Sequence, residues 1–94
     1  MAILSIDQGT TGTTVILVDH AGKILAKTYH NFQQIYPQRG WVEHDPEEIW
    51  ETVVECVGEI CASHPDTIEA VGITNQRETT IIWDADTGIP VYNA

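Results

Sequence analysis

AILSIDQGTTGTTVILVD, the stretch Ala2–Asp19, decides the architecture. An apolar run, Ala2–Ile6, ends at Asp7; the turn-forming residues Gln8-Gly9-Thr10-Thr11-Gly12 follow; Thr13–Val18 is β-branched and apolar up to Asp19. β-Branched side chains suit a pleated surface and glycines permit a tight reversal, so the stretch reads as strand, loop, strand. Outward from it, His20-Ala21-Gly22-Lys23 is a second turn and Ile24–His30 a third strand. On that strand Ile24, Ala26 and Thr28 share one face and Leu25, Lys27 and Tyr29 the other.

Asn31–His44 has no clean period and contains Pro37 and Gly40, which reads as a long loop. Asp45 before Pro46, with Glu48 three residues after the aspartate, is a capping box with proline at the first helical position. Ile49, Trp50, Val53, Val57, Ile60 and Cys61 recur at helical spacing as an apolar stripe, opposite Glu47, Glu48, Glu51, Glu55 and Glu59. A helix over Pro46–Ala62 follows, ended by Ser63-His64-Pro65-Asp66. Trp41 and Trp50 are expected to pack the loop and the helix onto the sheet. Ile68–Thr74 is a fourth strand; Asn75-Gln76-Arg77-Glu78 interrupts it; Thr79–Trp83, the turn Asp84–Gly88 and Ile89–Tyr92 make a truncated hairpin. The order is βββαβ plus that hairpin, an α/β arrangement. The helical crossover makes the fourth strand parallel to a neighbour, hence a mixed sheet. Such a sheet leaves one face short of cover and one edge unfinished, as expected of the N-terminal piece of a larger protein.

The chain has 94 residues, one small domain at most. With 4 Lys and Arg against 14 Asp and Glu its formal charge is -10, which speaks against a broad basic surface for nucleic acid or anionic lipid. It leaves open a phosphate held by uncharged backbone N–H groups. No apolar run is long enough to span a membrane, and Met1–Asp7 lacks the basic and apolar regions of a signal peptide. Cys56 and Cys61 are five apart, about 140° around a helix, so they cannot bridge there and read as free thiols of a reducing cytoplasm.

Two stretches carry chemistry. In Asp7–Thr13 the glycines let backbone amides converge on an anion, the threonines add hydroxyls, and Asp7 could hold Mg²⁺ beside phosphates. From spacing alone this nucleotide-phosphate cradle and a plain hairpin tip are equally good readings; no Walker-type lysine is present. In Asn75–Glu78, Arg77 could donate and Glu78 accept hydrogen bonds from a polyol. The simpler reading there is a surface loop with an ion pair worth under about 1 kcal/mol. His20, His30, His44 and His64 are scattered and read as structural or solvated.

DQGTTGT (Asp7–Thr13), GWVEHDPEEIW (Gly40–Trp50), GITNQRETT (Gly72–Thr80) and PVYNA (Pro90–Ala94) together resemble the opening of the FGGY carbohydrate kinases, in their glycerol-phosphorylating branch. DQGTT is shared widely across sugar kinases and actin-like proteins; GITNQRET is the specific element, since other branches carry a different sequence there. The resemblance covers essentially the whole chain. It implies the N-terminal part of a ribonuclease-H-like (actin-like ATPase) domain, residues 1–94 being an incomplete first domain. It implies phosphoryl transfer from ATP, with Mg²⁺, to glycerol in the cytoplasm by a homo-oligomeric parent, without nucleic acid or membrane partners.

Carried over position by position, the resemblance implies that Asp7 lies near the metal, that Gly9, Thr10, Thr11 and Gly12 surround the nucleotide phosphates, and that Arg77 and Glu78 bind glycerol. Gly12 stands where many relatives have serine, and Thr14 where many have arginine, which puts those contacts in doubt. No catalytic base falls within the chain, so the chain alone is expected to be inactive. The competing readings are a stand-alone acidic interaction module and another FGGY sugar kinase.

Overall fold

A computed structural model describes all residues, Met1–Ala94. Four strands, β1 (Ala2–Gln8), β2 (Gly12–Asp19), β3 (Ile24–Asn31) and β4 (Ile68–Thr74), and one helix, α1 (Pro46–Ser63), follow one another in the expected βββαβ order. The strands form a mixed sheet in the spatial order β3-β2-β1-β4. The two hairpins are antiparallel, and α1 returns the chain so that β4 lies parallel to β1.

Each connection has a local cause. Across the first tip the Gly9 N–H donates to the Gly12 carbonyl at 2.9 Å. At the second, Asp19 Oδ1 accepts from the N–H groups of Ala21 and Lys23, both at 2.9 Å, and Gly22 takes the left-handed conformation that the reversal demands (φ 81°). Asp45 caps α1 as expected, its Oδ1 accepting from the Glu47 N–H at 3.0 Å. The capping box does not close, however: Glu48 Oε1 instead accepts from the Gln33 N–H at 2.8 Å, fastening the preceding loop to the helix. Asp45→Ala should therefore cost about 1 kcal/mol of unfolding free energy, read from urea titration of the protein that carries the chain.

The core lies between the sheet and α1. Ala2, Leu4, Ile6, Val15 and Leu17 meet Cys56 and Ile60 there. The helix face differs from the expected stripe. Ile49, Thr52, Cys56 and Ile60 are buried, whereas Trp50 is 62% exposed and Cys61 is exposed. At about 100° per residue, Thr52 and Cys56 sit on the line joining Ile49 to Ile60, and Trp50 and Cys61 lie well round from it. Polarity does not exclude Thr52, because it is satisfied. Its hydroxyl donates to the Ile49 carbonyl at 2.7 Å and accepts from the Thr13 hydroxyl at 2.7 Å. Burial pushes the Cys56 thiol up, leaving it a packing group.

Trp41 is likewise exposed and packs nothing onto the sheet. Asn31–His44 is less irregular than expected, since Ile35 and Glu43 exchange both backbone hydrogen bonds across a bend at Gly40 (φ 83°). The expected strands Thr79–Trp83 and Ile89–Tyr92 do not form. Only the bridge Trp83–Pro90 is made, around the turn that Asp84 Oδ1 closes by accepting from Asp86 and Thr87 N–H groups. A two-stranded ribbon that buries nothing has little to hold it, and Ile82, Trp83, Ile89 and Val91 are all exposed.

Candidate functional site

The loop between β1 and β2 is anchored from below and open above. Gln8 Nε2 donates to the Gly9 carbonyl at 2.8 Å, Gln34 Nε2 to the Thr10 carbonyl at 3.0 Å, and the Phe32 N–H to the Thr11 carbonyl at 3.3 Å. The carbonyls are thus tied down, while the N–H groups of Thr10 and Thr11 donate to no backbone acceptor. Both threonines are exposed. Free amides and hydroxyls on a loop whose acceptors are turned away form a surface suited to an anion.

Gln34 owes its position to a residue that sequence reasoning set aside as structural. His44 Nε2–H donates to Gln34 Oε1 at 2.7 Å, and its ring stands edge-on to Phe32 with centroids 4.9 Å apart. His44 is buried, and its backbone exchanges two hydrogen bonds of 2.8 Å with Ala94. A relay therefore runs from His44 through Gln34 to the Thr10 carbonyl. The other histidines are also structural: His20 pairs with Glu69, His30 with Glu59, and the His64 N–H ends α1 on the Ile60 carbonyl. Glu59 is not merely solvated, since the Thr28 hydroxyl first and His30 second hold its carboxyl below the usual range.

The polar interruption after β4 comes to the same place. A cleft of about 410 Å³ is lined by Thr10 and Thr11 from the loop and by Gln76, Glu78 and Thr79 from this segment. Gln76 is the residue of this stretch that sequence reasoning passed over. It is buried, donates to Gln8 Oε1 at 3.3 Å and accepts from the Thr79 hydroxyl at 2.8 Å. It thereby locks the end of β4 to the start of the loop. The sequence held only a partial signal: Asn75 and Gln76 are the two uncharged polar residues between the strand and the charged pair, and nothing local to them says which one turns inward. Glu78 is exposed yet held at φ 61°, a left-handed conformation rare for a long side chain.

Two of the expected residues stand apart. Arg77 is exposed and does not line the cleft, and it makes no ion pair with Glu78. Asp7 lies one register position from the loop, paired with Thr14 on β2 and Thr74 on β4. Alternation places it on the sheet face away from α1, since its neighbour Ile6 points into the core. Its carboxylate is exposed and has no salt-bridge partner. No three metal-ligating side chains cluster anywhere in the chain. The donor set fits a Mg²⁺ that arrives with phosphates and keeps most of its waters, with a single carboxylate from the protein. No helix is long and apolar enough to cross a membrane.

Residues 2–94 match the N-terminal domain of the FGGY family of carbohydrate kinases. The chain is 53% identical to the glycerol kinase of Caldanaerobacter subterraneus subsp. tengcongensis over 98% of its own length and 19% of that protein's. It superposes on a glycerol kinase from Plasmodium falciparum, solved with ADP, with a TM-score of 0.94 at 41% identity, covering 98% of this chain and 19% of that one. A gluconate kinase from Lactobacillus acidophilus superposes with a TM-score of 0.90 at 27% identity, covering 98% of this chain and 18% of that one. The chain thus spans about a fifth of the length of the curated relatives it matches.

Proposed function

The chain belongs to the FGGY family of carbohydrate kinases, and from that premise we propose that it is the N-terminal part of an ATP-dependent glycerol kinase. The observation that carries the reading is the shared cleft. Thr10 and Thr11 of the loop line it together with Glu78, so a phosphate donor and a polyol acceptor could meet there. In this reading Gly9, Thr10, Thr11 and Gly12 surround the nucleotide phosphates through backbone N–H groups and hydroxyls. Glu78 accepts hydrogen bonds from glycerol hydroxyls there, and Arg77, which lies outside the cleft lining, would have to swing in to donate to them. Asp7 holds Mg²⁺, which when bound offsets the charge of the transferring phosphoryl group.

Transfer joins a glycerol oxygen to the γ-phosphorus, breaks the bond to ADP, and releases the hydroxyl proton to a base. Glu78 is committed to binding in this scheme, so the base belongs to another part of the protein, as does the adenine pocket. Positioning and charge compensation are what these residues contribute. The protein would act in the cytoplasm as a homo-oligomer, with Cys56 and Cys61 kept as thiols.

Another FGGY sugar kinase is less well supported. GITNQRETT carries the resemblance to glycerol kinases, and identity is lower to the gluconate kinase than to the glycerol kinases. A stand-alone interaction module gains no support from a family match that spans residues 2–94. The test is ADP release by the full-length protein with glycerol, gluconate or xylulose as acceptor. Glycerol should exceed the other two by at least about tenfold in kcat/KM, a margin of ~1.4 kcal/mol, and the 94-residue chain alone should be inactive. A faster sugar acceptor would overturn the reading.

A further inference from the structure

Position 12 has no room for a side chain, and what fills the space is Tyr29. A Cβ built on Gly12 would lie 2.5 Å from Tyr29 Oη and 2.6 Å from the His30 carbonyl oxygen. Neither distance is tolerated, so glycine here is a condition of how Tyr29 sits. The register explains the approach. Tyr29 pairs with Thr14 across β2 and β3, and Thr14 pairs with Asp7 across β1 and β2. The three side chains form one row on the sheet face away from α1, because Thr28 and His30, on either side of Tyr29, turn to Glu59 on the helix. From that row the ring leans over Gly12 and brings its hydroxyl to the loop.

The hydroxyl is not used up there. Its one partner within the chain is the Thr11 hydroxyl at 3.4 Å, well beyond the roughly 2.7–2.8 Å of a good O–H···O bond. Tyr29 is 51% exposed. A phenol offers one hydrogen and two lone pairs. Here it stands beside Thr11 with its hydrogen free for a stronger acceptor, and an anionic phosphate oxygen is the strongest kind available.

We infer that Tyr29 donates its hydroxyl hydrogen to a nucleotide phosphate held by the Gly9–Gly12 loop, supplying from β3 the contact that a side chain at position 12 cannot. The inference rests on the proposed reading of that loop as the phosphate site. It also makes Gly12 and Tyr29 a matched pair, in which the small residue admits the large one.

The test is Tyr29→Phe in the full-length protein, which keeps the ring over Gly12 and deletes only the hydroxyl. The dissociation constant for MgADP and KM for MgATP should rise about tenfold, as for loss of one hydrogen bond to a charged group. KM for glycerol should stay within about twofold and Tm within about 1 °C, since the packing is retained. Nucleotide constants that stay within about twofold would overturn the inference, as would a fall in Tm with equal changes in both substrates' constants. Asp7→Ala, assayed in parallel, separates the two levels. If it impairs turnover while Tyr29→Phe changes nothing, Tyr29 alone is discarded. If neither variant changes catalysis, the phosphate-site reading falls and the inference with it.

Discussion

Asp7→Ala in the full-length protein should lower kcat by on the order of 10²–10³-fold while leaving KM for glycerol within about twofold. Asp7 is the carboxylate at the end of β1 nearest the loop that carries Thr10 and Thr11. It has no salt-bridge partner, so its charge is not committed to the fold. With 14 acidic residues against 4 basic ones, this chain has little cationic charge to place near a triphosphate. A carboxylate that recruits a divalent cation reverses that local sign, and the benefit is greatest where charge is redistributed in the transition state. The segment after β4, to which the proposed reading assigns glycerol, does not include Asp7 and should not sense the change directly. Because Asp7 is exposed, the variant should unfold at the same urea concentration as the parent. Steady-state kinetics at saturating MgATP with Mg²⁺ titrated over two decades gives the answer. An unchanged kcat would remove Asp7 from the mechanism.

The strands were legible because alternation and β-branching are local: Leu4 and Ile6 turn in, Ile3 and Asp7 turn out, and nothing distant needed to be known. The helix was legible in extent, from its aspartate cap and proline, but not in orientation. Its apolar surface is wider than the strip the sheet covers, so hydrophobicity alone did not choose between Trp50 and Cys56. The buried Thr13–Thr52 hydrogen bond and the small volume of Cys56 made that choice, and both depend on β2. The hairpin after Glu78 failed for the complementary reason, since its residues have strand propensity but no surface here to pair with or pack against. Thr10, Thr11 and Glu78 stand out in the sequence because they fall in short motifs, and what the structure adds is that they line one cleft. Gln34 and His44 do not stand out, because they matter only through the relay to the Thr10 carbonyl, which joins segments with no common period.

Glu78 should be the residue whose loss separates stability from function most cleanly. Its φ of 61° lies in the left-handed region, where a Cβ is crowded and glycine is at ease. Such conformations cost on the order of 1–3 kcal/mol and persist where the surroundings impose them. Here the imposing contacts are visible: Gln76 is buried, tied to Gln8 and to Thr79, and the turn at Arg77 and Glu78 must close between them. With this bend Glu78 lines the same cleft as Thr10 and Thr11. If Glu78 accepts hydrogen bonds from glycerol, removing the carboxylate should raise KM for glycerol by up to about a hundredfold, at roughly 1–3 kcal/mol for each unmet bond. KM for MgATP should move little. Glu78→Gly and Glu78→Ala remove the same carboxylate and differ in backbone, so both should lose glycerol alike. The glycine variant should be the more stable of the two by about 1 kcal/mol, because it alone fits φ 61° without strain. Glu78→Gln keeps the size and one acceptor but not the charge, and should fall between the parent and those two in glycerol affinity. Glycerol and ATP constants within about twofold of the parent in all three variants would make Glu78 an ordinary turn residue and send the acceptor site elsewhere in the protein.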